Sequence, residues 1–326
     1  MAAVIIIEMN ESPAKIKTSV QVVEIKEDQD GQRLDNFLLR ALGDIPKSMI
    51  YRIIRKGEVR VNKGRIKPNH RLKTGDLVRI PPVRHDIETS EIKLPQGLLG
   101  EVGRQILFEN NDYIVVNKPS GLAVHGGSGL RFGLLDVIRA IRPQHDYLEL
   151  VHRLDRETSG CLLLAKNRQA LIFMHEQFKQ NQVIKKYLAG IEGEWKNGTK
   201  TVSAPLIKNA IQGGERIVEV SADGKKAVSH FRLVQHYNRL SVIEVELQTG
   251  RTHQIRVHAA HEGHPVAGDK KYGNKTYNKW IKEKGLKRLF LHSHWLEFYL
   301  PGDNERTQIN TPLPDELQVV LNNLEF

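Results

Sequence analysis

Two short apolar runs, Tyr147 to Val151 and Cys161 to Ala165, bracket a polar segment with charge on five of its residues: His152, Arg153, Asp155, Arg156 and Glu157. Each run is short, apolar and bounded by turn signals, so each reads as a buried strand. The segment from Val151 to Gly160 is then a loop hung from two core strands. A loop held in that way can aim a reactive group. Its single carboxylate before Glu157 is Asp155, set among His152, Arg153 and Arg156. The same residues also describe a solvated loop with self-compensating charge.

Downstream and upstream of this loop the apolar pattern is mostly that of strands. Ile106–Phe108, Tyr113–Val116, Val183–Ile191, Ala227–Val234, Leu240–Leu247, Leu289–Tyr299 and Thr307–Ile309 read as strands. Helical patterns cover Leu134–Ile141, Gln169–Lys179, Thr252–Ala260 and Asp315–Leu321. Many strands with few intervening helices indicate an α+β fold with a mixed, mostly antiparallel sheet flanked by helices and loops, not a doubly wound one. Gly126–Gly129 is glycine-rich, but without a P-loop lysine it reads as a turn.

A smaller module precedes that domain. Arg33–Leu42 reads as a helix with Leu34, Phe37, Leu38 and Ala41 on one face. Pro46 and Ser48 open a second helix that Gly57 ends. There Ile50, Ile53 and Ile54 share the apolar face, and Arg52, Arg55 and Lys56 form a basic one. Strands at Val59–Val61 and Leu77–Ile80 close the module. The expected organisation is a loose tail over 1–20, the small domain over 21–81, a linker over 82–103 and the large domain over 104–326.

The chain of 326 residues carries a net charge of +11. Between Gly31 and Pro81, thirteen lysines and arginines face four acids, a net of +9 in a compact segment. Such a concentration points to a polyanion partner. The one cysteine, Cys161, excludes an internal disulfide framework and lies in an apolar run where an inert, buried thiol is expected. No apolar run reaches membrane-spanning length, and the Val4–Ile7 run lacks the basic flank of a signal peptide. The expectation is a cytoplasmic protein with no membrane role and no evident obligatory protein partner.

His152-Arg153-Leu154-Asp155, followed by Thr158-Ser159-Gly160, resembles the catalytic loop of the RluA-type pseudouridine synthases. Asn117–His125, Lys185-Lys186-Tyr187, Gly250–His258, Gly263–Asp269 and Arg288–His292 resemble further motifs of that family, in its order. Arg33–Leu38 and Ser48–Arg52 resemble the S4 RNA-binding domain. The N-terminal third is similar to the branch of the family that acts on large-subunit ribosomal RNA.

What the resemblance implies is isomerisation of uridine to pseudouridine, a reaction that requires no cofactor and no metal. It implies Asp155 as the catalytic carboxylate, either attacking carbon or removing a ribose proton. It implies Arg251 as the ion-pair partner of Asp155, and Tyr187 against the uracil. Arg153 is expected to fill the space of an extruded base. His152 is expected to orient the loop, Leu289 to wall the uracil pocket and His125 to contribute to substrate binding. Arg33, Lys47, Ser48, Arg52, Arg55, Lys56 and Arg60 are the expected RNA contacts, made mainly to phosphates.

Three further readings compete. The same chemistry could serve another structured RNA such as tRNA, or the module could belong to a non-catalytic ribosome-assembly factor. His253, His258, His261, His264, His292 and His294 could instead serve a metal-dependent RNA hydrolase, but they come without a cysteine partner or a His-Glu-x-x-His pattern.

Overall fold

The computed structural model describes residues 15–17, 19–43, 45–86, 94–126, 132–210 and 216–324. They form two compact units that meet in sequence at Lys93–Leu94.

In the first unit, β1 (Lys15–Lys17) is followed by β2 (Gln21–Glu24), α1 (Leu34–Ala41), α2 (Lys47–Arg55), β3 (Arg60–Val61), β4 (Leu77–Ile80) and β5 (Arg84–Asp86). β2, β4 and β3 make a three-stranded antiparallel sheet, and β1 pairs with β5. Both helices lay their apolar stripe on this sheet: Leu34, Phe37 and Leu38 from α1, and Ile50, Ile53 and Ile54 from α2. Burying each such side chain contributes about 1.5–3 kcal/mol, so a module this small can hold its own core. The β1 pairing lies inside the stretch expected to be a loose tail; the rest of that stretch up to residue 14, and residue 18, lie outside the described residues.

The second unit begins earlier than expected. α3 (Gln96–Arg104) occupies the stretch read as linker, and its Val102 is fully buried in the large core. Then come β6 (Ile106–Glu109), β7 (Tyr113–Lys118), α4 (Leu134–Ile141), β8 (Glu149–Leu150), β9 (Ser159–Ala165) and α5 (Arg168–Lys179). β10 (Ile184–Glu192), β11 (Thr199–Ser203), β12 (Leu206–Ala210) and β13 (Arg216–Val220) precede β14 (Val228–Tyr237) and β15 (Leu240–Leu247). The chain closes with α6 (Gln254–His261), α7 (Lys275–Glu283), β16 (Leu291–Tyr299), β17 (Arg306–Asn310) and α8 (Asp315–Asn322).

The main sheet runs β11-β14-β15-β10-β16-β9-β7-β6, with β17 beside β16 and β8 beside β9; β12 and β13 form a separate hairpin. Among the described residues every pairing is antiparallel except β16 with β9, which is parallel and joins only His292 to Ser159 and Ser293 to Gly160. Side chains of β9 alternate between two cores: Leu162 and Leu164 on one face, Cys161, Leu163 and Ala165 on the other. A strand covered on both faces reads as a continuous apolar run, which is why Cys161–Ala165 stands out in the sequence. Of the glycine-rich turn at 126–129, only Gly126 lies within the described residues.

Candidate active site

The loop between β8 and β9 is fastened from behind. The fully buried Lys118 ammonium donates to three carbonyls: Pro119 at 2.9 Å, Leu122 at 2.8 Å and Arg156 at 3.1 Å. Three donors meet three acceptors, so the turn after β7 is stapled to the loop, although burial pushes this amine down to about 7. The Gly121 amide also donates to the Arg156 carbonyl at 2.9 Å, and the Ser120 hydroxyl to the Glu157 carbonyl at 2.7 Å. On the far side, Arg288 Nη2 donates to Ser159 Oγ at 2.7 Å, and Ser159 Oγ lies 2.8 Å from His292 Nδ1. Gly160 has φ +110, and a Cβ there would lie 2.2 Å from the Ser293 carbonyl oxygen. Only glycine lets β9 approach β16 so closely.

The loop so held presents Asp155, 20% exposed, in a cleft of about 110 Å³. Arg153, Leu154, Thr158, Tyr187, Leu247, Leu291 and the segment Gly250–Arg256 also line it. Tyr187 arrives from β10 at a bulge in the pairing with β16, a device that re-aims a side chain. Burial is the main cause that raises its hydroxyl above the ordinary tyrosine value, against a hydrogen bond to Ser293.

The ion pair differs from the expected one. Arg256 Nη1 lies 3.5 Å from Asp155 Oδ2, and Arg256 is the arginine that partners the carboxylate. Arg251 lines the same cleft but is exposed, and its Nε donates to the Lys226 carbonyl at 3.1 Å. The reason is local: the helix starts at Gln254, after a left-handed residue, His253 with φ 55. Residues 253 and 256 then lie one helical turn apart and face Asp155 together, whereas Arg251 precedes the turn.

Arg256 is itself held. It grips Asp269, whose side chain is fully buried, by Nε–Oδ2 at 2.7 Å and Nη2–Oδ1 at 2.8 Å. The amides of Lys271 and Tyr272 also donate to Asp269 Oδ1. Burial opposes ionisation of Asp269, but the guanidinium and these donors hold its carboxyl below the usual aspartate value. The Arg256 guanidinium lies over the Tyr272 ring, 5.1 Å from its centroid.

Other expected site residues fall elsewhere. His152 does not line the cleft; its Nε2 accepts from the Leu163 amide at 3.1 Å and its ring packs on Phe178, with burial pushing its pKa down to about 3. Both contacts lie behind the loop, away from the cleft. Leu289 is a core residue, and Leu291, the first residue of β16, lines the cleft instead. His125 is exposed and lies outside the cleft lining. Both ring nitrogens of His258 are occupied, by Ser229 Oγ at 2.9 Å and the Ala204 carbonyl at 3.0 Å. Among the described residues, no three His, Cys, Asp or Glu side chains gather as metal ligands.

In the first unit, Lys47, Ser48, Arg52, Arg55 and Lys56 are exposed on or just after α2, and the last three basic residues border one shallow depression. Arg60 is half-buried on β3. Arg33 is exposed but committed: it forks onto Asp35 at 3.0 and 2.6 Å, and Asp35 also accepts from the Tyr51 hydroxyl at 2.9 Å.

The family described as RNA pseudouridylate synthase matches residues 112–261, and the S4 domain matches residues 32–78. The ribosomal large subunit pseudouridine synthase C of Haemophilus influenzae is 49% identical over 95% of this chain and 96% of its own. Its counterpart from Yersinia pestis is 50% identical over 92% of this chain and 94% of its own. A solved human structure, RNA Pseudouridylate Synthase Domain Containing 4, superposes with a TM-score of 0.58 at 26% identity, covering 70% of this chain and 95% of that one.

Proposed function

This chain belongs to the RluA-type family of RNA pseudouridine synthases, and on that basis we propose that it converts specific uridines of large-subunit ribosomal RNA to pseudouridine, with Asp155 as the catalytic carboxylate. The observation that carries the residue assignment is the meeting of three elements in one cleft: Asp155 from the β8–β9 loop, Tyr187 from β10 and Arg256 from α6.

The reaction breaks the bond between uracil N1 and ribose C1′, turns the base and joins its C5 to C1′; C5 loses its proton and the freed N1 gains one, so that product and substrate are isomers. Asp155 acts on the ribose through its carboxylate, by attack on carbon or by taking a ribose proton. Arg256 supplies the countercharge 3.5 Å away. Because Asp269 clamps the other edge of its guanidinium, Arg256 is oriented before substrate arrives. Tyr187 offers a ring for the uracil face and Leu291 an apolar wall. Arg153, exposed at the cleft two residues before Asp155, takes the place of the extruded base. Arg251 contacts phosphate, a role suited to an exposed guanidinium. The basic face of α2 holds the structured RNA through its phosphates.

The test is a pseudouridine map of ribosomal RNA from a strain lacking this gene, rescued with wild type or Asp155→Asn. Wild type restores a defined set of sites in large-subunit RNA and Asp155→Asn restores none. Restoration by both proteins would remove Asp155 from the chemistry, and restoration confined to tRNA would change the substrate.

A further inference from the structure

His253 is a residue the pseudouridine reaction as outlined does not use. It lines the cleft, and its Nε2 lies 3.8 Å from Asp155 Oδ2. It also stands in the left-handed region, φ 55, which is uncommon for residues other than glycine, although His, like Asn and Asp, enters it more readily than most. Such backbone settings persist where surrounding contacts over-determine them, and they gather at functional sites.

The contacts that determine it are specific. Its Nδ1 is 2.8 Å from the Tyr272 hydroxyl, and the two rings meet edge to face at 5.5 Å. The same hydroxyl accepts from the Val218 amide of β13 at 3.1 Å. A phenol that accepts from a backbone amide has its own proton left to donate, and Nδ1 is within reach of it. With that proton on the Tyr272 side of the contact, Nδ1 accepts and the neutral imidazole carries its hydrogen on Nε2, toward Asp155. Charged groups facing the ring are Asp155, Arg256, Lys271 and Asp269; burial is the largest influence and lowers the ring's pKa, which favours the neutral form.

We propose that His253 is a positioning residue for Asp155, locked by Tyr272 as the Nε2–H tautomer, so that the carboxylate is held between a neutral donor and the Arg256 guanidinium. The 3.8 Å separation closes to a hydrogen bond when the substrate sugar engages Asp155, since such contacts tighten in the bound complex. Through the Tyr272 hydroxyl the same residue ties the carboxylate's position to the β12–β13 hairpin. This inference rests on Asp155 being the catalytic carboxylate.

Two amide substitutions separate positioning from mere structural support. Glutamine places its NH₂ near the position of Nε2, and asparagine near Nδ1. Asparagine tolerates φ 55 better than glutamine does. His253→Asn is thus expected to be the more stable of the two and the less active. A misplacement of the carboxylate by about 1 Å costs about a hundredfold in turnover. His253→Asn should therefore lose about a hundredfold in kcat, with KM for an RNA substrate unchanged. His253→Gln should recover about tenfold of that, half of the loss in logarithmic terms. Tyr272→Phe keeps the ring but not the hydroxyl, and should move the ¹⁵N shift of His253 Nδ1 away from that of an acceptor nitrogen while lowering kcat.

Turnover that follows melting temperature, with His253→Asn the better enzyme, would overturn the proposal. Wild-type kcat in both variants, or a wild-type spectrum showing Nδ1–H on the neutral ring, would do the same. Asp155→Asn is run alongside: if it turns over like wild type, the reading of the cleft fails first and the inference falls with it.

Discussion

Replacing Arg256 by methionine separates the two arginines of the Gly250–His258 segment. The guanidinium is mostly buried between two carboxylates, 3.5 Å from Asp155 and forked onto Asp269. Asp269 is 1% exposed, so removing its partner strands a buried charge. Breaking a buried pair from one side costs about 3–5 kcal/mol. Two backbone amides still reach Asp269 Oδ1, at 2.8 and 3.1 Å, which places the loss at the low end, about 3 kcal/mol. Turnover should fall by about a hundred- to a thousandfold, the usual effect of deleting one preorganised electrostatic partner of a reacting group. Urea denaturation and tritium release from C5-labelled uridine in RNA measure the two losses. Adding Asp269→Asn removes the stranded charge, so the double variant should regain stability without regaining turnover, a coupling that a double-mutant cycle isolates. Arg256→Lys keeps the charge but cannot make the fork and should fall between. Arg251→Met loses one exposed contact to the Lys226 carbonyl and should stay within about 1 kcal/mol of wild type. If Arg251→Met abolished turnover while Arg256→Met remained stable and active, the assignment of Arg256 would be wrong.

Three more outcomes follow from the same contacts. Gly160→Ala meets the Ser293 backbone at 2.2 Å at φ +110, and should yield unfolded protein or a loss above about 4 kcal/mol; a melting temperature near wild type would refute the close approach. His152 and His292 are held neutral in the fold, pushed down to about 3 and about 4, and return to about 6.5 on unfolding. Their contribution is complete above pH ~6.5 and is lost as pH falls toward the folded values, at about 2.5 kcal/mol per pH unit near pH 5, so urea midpoints that do not fall between pH 7 and 5 would contradict it. Removing Arg52, Arg55 and Lys56 together should weaken RNA binding with little change in fold and reduce the slope of log affinity against log salt by about 2 to 3; an unchanged slope would take RNA off this face.

Most strands of the main sheet and the position of the loop were readable because burial writes apolar runs, continuous where both faces are covered, as at Cys161–Ala165. What was not readable depended on where elements begin. The choice between Arg251 and Arg256 turns on a helix starting at Gln254, and a motif gives residue types without that register. Leu289 and Leu291 are both apolar, and only the start of β16 at Leu291 decides which one meets the cleft. β11 left no signal because Val202 is its only buried residue. α7 did leave one: Asn274 caps it, and Tyr277, Trp280 and Ile281 recur at helical spacing, obscured by four lysines nearby.

The parallel junction of β9 and β16 has a consequence for how the cleft is tuned. It spans two residue pairs, directly behind the loop, and it divides the sheet into two wings. Asp155 hangs from the β9 wing, whereas Tyr187 belongs to the β10–β16 wing. The gap between acid and tyrosine is thus set at a seam sewn by Gly160, Ser159, His292 and Arg288. None of those four lines the cleft, yet a shift of a few tenths of an ångström there opens or closes the distance across which the uridine is worked.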